Sequence, residues 1–336
     1  MKQLKIGVIG VGNMGKNHLR ILSEERGHFD LAGIYDVDLE HAEKLAAQYE
    51  VKAFPEVDAL LEQLEAVVIA VPSSLHKELG LLAAAHGVHA LIEKPLAVNS
   101  DQAGELCRAF AAHGRKLAVG HVERFNPVVS VLSKILKHEQ IIAMEARRYS
   151  SFDGRIKDAN VVEDLMIHDI DLVCSLMQGH CVTQVSSLGR VVRSDRLDFV
   201  QGMLRFDNGV QATVSASRVT EDKVRELDIH TRDSFIKTDL LAKTLQISKN
   251  TSIVIDDGNK NSYKQDGITQ KIFVPMVEPL RAELISFYES VVNDAPVEVD
   301  GRTAAGAISL CEEIIRCAAL TGGYGAAAAM SAAHLA

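Results

Sequence analysis

Apolar residues in the first third of the chain fall in short, almost unbroken runs: Leu4–Ile9, Leu31–Tyr35, Ala66–Val71, His89–Ile92 and Leu117–Val119. Runs of this kind predict strands buried on both faces, and Val67–Val71 contains no polar residue at all. Between them, apolar positions recur at helical spacing near Met14–Ser23, Leu39–Tyr49, Leu75–His86 and Ser100–His113. Strands alternating with helices predict parallel βαβ units in a doubly wound sheet. After Gly120 the pattern changes. A helix is expected near Val128–His138 and a long strand at Ile141–Tyr149. Alternating segments follow at Val182–Val191, Phe199–Phe206, Gln211–Ser217, Leu227–His230 and Thr251–Ile255. Turn signals such as Asp207-Asn208-Gly209 separate them, which predicts antiparallel strands with one covered face. Two further helices are expected at Pro279–Asn293 and Thr303–Leu320. The expected fold class is α/β: a parallel-sheet domain over residues 1–121, then an α+β domain with a largely antiparallel sheet over residues 122–325.

Directly after the first strand stands Gly10-Val11-Gly12-Asn13-Met14-Gly15, a G-x-G-x-x-G string opening a helix. That context gives the string its meaning. Gly10 permits a tight turn, Gly12 lets the backbone approach a pyrophosphate, and Gly15 allows close helix–strand packing. The helix N-terminus offers free N–H groups to the phosphates, with Asn13 and Met14 in the same cradle. Asp36 ends the second strand about 20 residues further on, where an acid accepts hydrogen bonds from ribose hydroxyls and repels a 2′-phosphate. The N-terminal domain is therefore expected to be a Rossmann domain binding NAD. Pro72 and His76 follow the Ala66–Val71 strand at the same sheet edge. His76 either lines the cofactor or merely starts a helix.

Glu93-Lys94-Pro95 closes the fourth long apolar run. A lysine at the carboxyl end of such a strand sits where open α/β sheets bind ligands, and an ammonium there can stabilise charge developing on a substrate oxygen. Proline after it holds Lys94 in an extended conformation. Glu93 is placed with the cofactor. The alternative is a strand-ending lysine meeting solvent. In Asp164-Leu-Met-Ile-His168, the carboxylate and imidazole stand one helical turn apart on one face. Such a pair suits general acid–base work, because an imidazole titrates near neutrality. It reads equally as a structural helix pair. No further His, Cys or carboxylate cluster completes a ligand set beside it, so no metal is expected. Arg124 and Asn126, in Gly120–Pro127, either bind polar groups of substrate or cofactor, or form a hinge with Asn126 capping a helix. Arg148, Arg155 and Lys157 are cationic candidates for a substrate's negative groups.

A net charge of −9 argues against a nucleic-acid binder driven by bulk positive charge. No apolar run reaches membrane-span length, and the N-terminus lacks a cleavage-site pattern. The five cysteines are odd in number and form no C-x-x-C pair, which points to reduced thiols and a cytoplasmic protein.

Together, the glycine string, Val71-Pro72 with His76, Glu93-Lys94-Pro95 and Asp164-x-x-x-His168 resemble the Gfo/Idh/MocA family of oxidoreductases. The resemblance spans about residues 4–320. It implies oxidation or reduction of a sugar or cyclitol hydroxyl with NAD(P). Lys94 matches the family's E-K-P lysine, His168 its catalytic base and Asp164 the partner carboxylate. Substrate contacts would fall to Lys94, Arg124, Asn126, Arg155 and His168. The runs Gly120–Pro127, Ile167–Asp171 and Val277–Leu280 are similar to a subgroup that oxidises C3 of UDP-N-acetylglucosamine for amino sugars of lipid A or surface polysaccharides. Ser73 departs from the Asn or Thr common after that proline. The resemblance also implies a homodimer or homotetramer. Rival readings are a dehydrogenase of free sugars or inositols, and a non-catalytic dinucleotide-sensing regulator.

Overall fold

The computed structural model describes residues 2–154, 159–256 and 261–319, with the side chains of residues 250–266 left aside. Two compact units emerge. The first comprises Met1–Phe125 with Val277–Ser309; the second comprises Asn126–Met276 with the chain from Leu310.

In the first unit, β1 (Leu4–Ile9), β2 (Phe29–Tyr35), β3 (Lys52–Ala53), β4 (Ala66–Ile69), β5 (His89–Glu93) and β6 (Leu117–Gly120) form one sheet in the order β3-β2-β1-β4-β5-β6. All its neighbouring strands run parallel. This is the strand order of a dinucleotide-binding sheet, with its switch point between β1 and β4. The crossovers are α1 (Asn13–Glu24), α2 (Leu39–Tyr49), α3 (Val57–Leu61), α4 (His76–Ala85) and α5 (Ser100–Ala112). Because the strands are covered on both faces, β4 is buried throughout.

The continuous C-terminal domain expected from the sequence differs from the observed division. Apolar residues of α8 (Pro279–Val292), namely Leu280, Leu284, Phe287 and Tyr288, join the core built by Leu4, Ile6 and Leu22 of the first unit. Tyr288 donates from its hydroxyl to the Lys2 carbonyl at 2.6 Å, and Arg281 pairs with Glu24 and Glu25 at the end of α1. The apolar stripe of α8 thus has its complement in residues far upstream.

The second unit carries α6 (Pro127–Leu136), β7 (Ile141–Tyr149), a π-helical turn at Val162–Met166 and α7 (Ile167–Leu176). Seven further strands follow: β8 (Val182–Arg190), β9 (Phe199–Phe206), β10 (Gln211–Ser217), β11 (Val224–Thr231), β12 (Phe235–Asp239), β13 (Thr244–Asp256) and β14 (Asn261–Ile272). They form a sheet in the order β14-β13-β12-β11-β7-β10-β9-β8. β7 and β10 pair parallel, and the other neighbours pair antiparallel. Burial alternates strictly along β9, as a strand with one covered face requires. α7 packs on β7 and β10. The last helix, α9 (Gly301–Ala318), has residues in both units.

Candidate active site

At the carboxyl edge of the first sheet, backbone geometry forms a phosphate cradle. Gly10 has φ +84°, and a Cβ there would meet the Ala70 carbonyl oxygen at 2.6 Å. A Cβ on Gly15 would stand 1.9 Å from the Gly10 oxygen, so only glycine lets α1 approach β1 this closely. At Gly12 the opposite holds: a Cβ would meet no protein atom within 4 Å. Gly12, Asn13 and Met14 are exposed, and α1 carries neither a side-chain cap nor an acid in its first turn. Its leading N–H groups and the positive end of its dipole are left for an anion.

Asp36 follows β2 in a fixed orientation. One carboxylate oxygen accepts from the Val11 N–H at 2.8 Å and the other from the Asp38 N–H at 3.0 Å. The Val11 bond joins the glycine turn to the residue that would face the ribose. This set of groups fits NAD, and the negative charge disfavours a 2′-phosphate.

His76 is buried at the start of α4, with Nδ1 2.8 Å from the Pro95 carbonyl and Nε2 2.9 Å from the Val71 carbonyl. Burial, opposed by these two carbonyls, pulls its pKa below the usual imidazole value. Structurally it ties the loop after β4, which holds exposed Pro72, to the loop after β5. Lys94 is half-buried in that second loop. Glu93 turns inward: one carboxylate oxygen lies 2.7 Å from His18 Nε2, and the other accepts from the Lys94 N–H at 3.3 Å. Arg124, in a 3₁₀ turn at Val122–Phe125, donates to the Glu298 carbonyl at 3.2 Å.

In the second unit, Asn160 opens the segment that carries the acid–base candidates. Its side chain accepts from the Val162 N–H at 2.8 Å, while Glu163 accepts from the Asn160 N–H at 3.0 Å. This reciprocal arrangement satisfies the first donors of a helix. Asp164 lies in the π-helical turn and His168 in the first turn of α7, both half-buried. The expected single helix is therefore a π-to-α junction, a local geometry frequent at functional sites. Asn126 is buried, accepts from the Val128 N–H at 3.1 Å as the cap of α6, and donates to the Leu240 carbonyl at 3.1 Å. Arg155 and Lys157 lie outside the described residues.

Arg148 departs from its expected position facing a ligand. It is 2% exposed and bonded to Asp169, with Nε at 3.1 Å from both carboxylate oxygens and Nη2 at 2.8 Å from Oδ1. The signal was present in β7, where Met144, Ala146 and Arg148 share one face and the first two are plainly core residues. Asp198 is a second buried anchor. Burial opposes its charge, but N–H groups of Arg193, Val192 and Ser194 hold its carboxyl far below the usual range. Arg218 donates to Asp198 at 2.7 Å and to the Ala159 carbonyl at 3.0 Å, just ahead of Asn160. Among the described residues, no group of three or more His, Cys, Asp or Glu could hold a metal ion. No described helix is long and apolar enough to cross a membrane.

Comparison with known proteins agrees with this geometry. Residues 4–121 match the GFO/IDH/MocA oxidoreductase family, NAD-binding Rossmann fold, and residues 143–236 match the GFO/IDH/MocA C-terminal domain. The chain is 31% identical over 305 residues to a UDP-N-acetylglucosamine 3-dehydrogenase of Acidithiobacillus ferrooxidans, covering 90% of this chain and 93% of that one. A solved structure of that organism's UDP-N-acetylglucosamine 3-dehydrogenase superposes with a TM-score of 0.86 at 30% identity, covering 94% of this chain and 98% of the other. An inositol 2-dehydrogenase of Pseudomonas fluorescens is 29% identical over 189 residues, covering 54% of this chain and 56% of its own length.

Proposed function

Because the chain belongs to the GFO/IDH/MocA family of NAD-binding oxidoreductases, we propose that it oxidises the C3 hydroxyl of UDP-N-acetylglucosamine to the 3-keto nucleotide sugar. The observation that carries the substrate is likeness to a dehydrogenase of this nucleotide sugar along 90% of the chain, where the inositol dehydrogenase aligns over 54%. The fixed charge of Asp36 supports NAD as the oxidant.

NAD, when bound, supplies the nicotinamide carbon that accepts hydride from the sugar carbon. The chain's own residues handle the other half of the reaction. His168 takes the hydroxyl proton as the C–H bond breaks. Lys94 donates a hydrogen bond to the same oxygen and stabilises its alkoxide character. Asp164 orients the imidazole and stabilises its protonated form. Gly10, Gly12, Asn13, Met14 and Gly15 would hold the pyrophosphate, while His76 and Glu93 fix the loop that carries Lys94.

Lys94→Ala and His168→Ala should each lower kcat by about 10²–10⁴ while NAD binding by titration is unchanged. Near-normal turnover in either variant removes that residue from the mechanism. The inositol relative supports a second reading, a dehydrogenase of free polyols. Turnover of myo-inositol or free sugars, with UDP-N-acetylglucosamine inert, would select it.

A further inference from the structure

We propose that the bidentate pair of Arg148 and Asp169 is a positioning device for His168, and this inference rests on the reading of His168 as the catalytic base. Asp169 is the residue next to His168 in the first turn of α7, and it is 2% exposed. Arg148 projects from the covered face of β7, near that strand's end. Three contacts of 2.8–3.1 Å join the guanidinium to both carboxylate oxygens. A planar fork closing on a carboxylate restricts rotation as well as distance, which a single-point contact does not.

The helical geometry converts that restriction into an orientation. Successive residues of an α-helix lie about 100° apart around the axis. With Asp169 pinned toward β7, His168 is turned to the adjoining flank, where it is half-buried. The turn just before it is π-helical, with the Ile167 N–H bonded to the Val162 carbonyl, so the α-helical register begun by the Asp164 N–H on the Asn160 carbonyl is shifted before α7. An independent anchor at position 169 supplies that register on the near side of the junction. The guanidinium also balances the Asp169 charge.

Energetics point the same way. A fully buried ion pair adds little stability relative to well-packed apolar residues of similar volume, because both charges are desolvated. Arg148 sits in line with Met144 and Ala146, so an apolar side chain would suit this face. The pair is therefore explained by geometry rather than by net stability.

The decisive variant is the double replacement Arg148→Met with Asp169→Leu, which removes both members of the buried pair together. It should keep Tm at or above the wild-type value. Its kcat for UDP-N-acetylglucosamine should fall tenfold or more, with KM for sugar and NAD changed less than twofold. The His168 imidazole NMR signal, assigned by its loss in His168→Ala, should shift in the double variant without any ligand. A stable double variant with wild-type kcat, or with an unmoved His168 signal, overturns the proposal. Should the double variant not fold, Arg148→Lys retains the charge and removes the fork. It should lower kcat at unchanged KM, and wild-type kcat there overturns the bidentate role. Normal turnover in His168→Ala would fell the base assignment and the positioning role together. Loss of turnover in His168→Ala beside normal turnover in the double variant would fell the positioning role alone.

Discussion

His18 and Glu93 meet at 2.7 Å inside the first unit, although 75 residues separate them in the chain. His18 lies on α1, whose N-terminus faces the phosphate cradle, and Glu93 ends β5 beside Lys94. The pair thus couples the cofactor helix to the strand end that carries the candidate catalytic lysine. Leaving a buried polar group without its hydrogen-bond partner costs about 1–3 kcal/mol. His18→Leu should lose about 1–3 kcal/mol in urea unfolding and raise KM for NAD. Unchanged stability would mean that Glu93 does not need this partner.

Glu283 on α8 is buried, and neither of its carboxylate oxygens has a hydrogen-bond partner. Burial first, and the nearby Glu93 charge second, push its carboxyl well above the ordinary value of 4.5. The native state therefore holds a proton that the unfolded chain releases, and its stabilising effect is lost as pH rises from about 4.5 through the folded value. Glu283→Gln keeps the shape without the ionisation. Its Tm should fall less than that of the wild type between about pH 5 and about pH 8. Parallel profiles would contradict a neutral carboxyl at this site.

His89 has the opposite sign. Its Nδ1 accepts the Lys116 N–H at 2.8 Å, and burial, then Arg115 and Lys116, lower its pKa to about 4. Between about 6.5 and about 4 the unfolded chain binds a proton that the native state refuses, so falling pH destabilises the fold. An NMR titration should place the His89 midpoint well below that of a free imidazole. A midpoint near 6.5 would refute this account.

Asp36 should govern cofactor choice, because both its oxygens are held by backbone N–H groups of Val11 and Asp38. Hydrogen bonds to a charged group contribute about 1.5–3 kcal/mol. Asp36→Ala should therefore raise KM for NAD by about tenfold or more and narrow the preference over NADP. Steady-state kinetics with both dinucleotides would test this, and an unaltered ratio would assign the preference elsewhere.

Much of the first unit is legible in the sequence because its signals are local. Unbroken apolar runs mark buried parallel strands, and β1 with its glycine string matches the observed element residue for residue. Elements with little local pattern escaped. β3 is two residues long, β12 is a five-residue strand, and β14 is mostly polar. The π-helical turn at Val162–Met166 changes hydrogen bonding without changing the apolar pattern. Long-range relations were the least visible. The stripe of α8 announces a buried face but not that its complement lies on β1 and α1. His18 meeting Glu93, and Arg148 meeting Asp169, depend on which strands and helices become neighbours. In the candidate site, spacing alone marked the glycines, Asp36 and the Asp164–His168 pair. The inward commitment of Glu93, His76 and Asn126 required the structure.

The proposed reaction is hydride removal from C3 of UDP-N-acetylglucosamine by NAD. Its most direct test is incubation of the protein with NAD and substrate deuterated at C3, followed by mass spectrometry of sugar and dinucleotide. The expected product is a keto sugar that has lost the deuterium, with the label recovered in the reduced cofactor. Sugar that retains its deuterium, with no reduced dinucleotide although NAD binds, would contradict it.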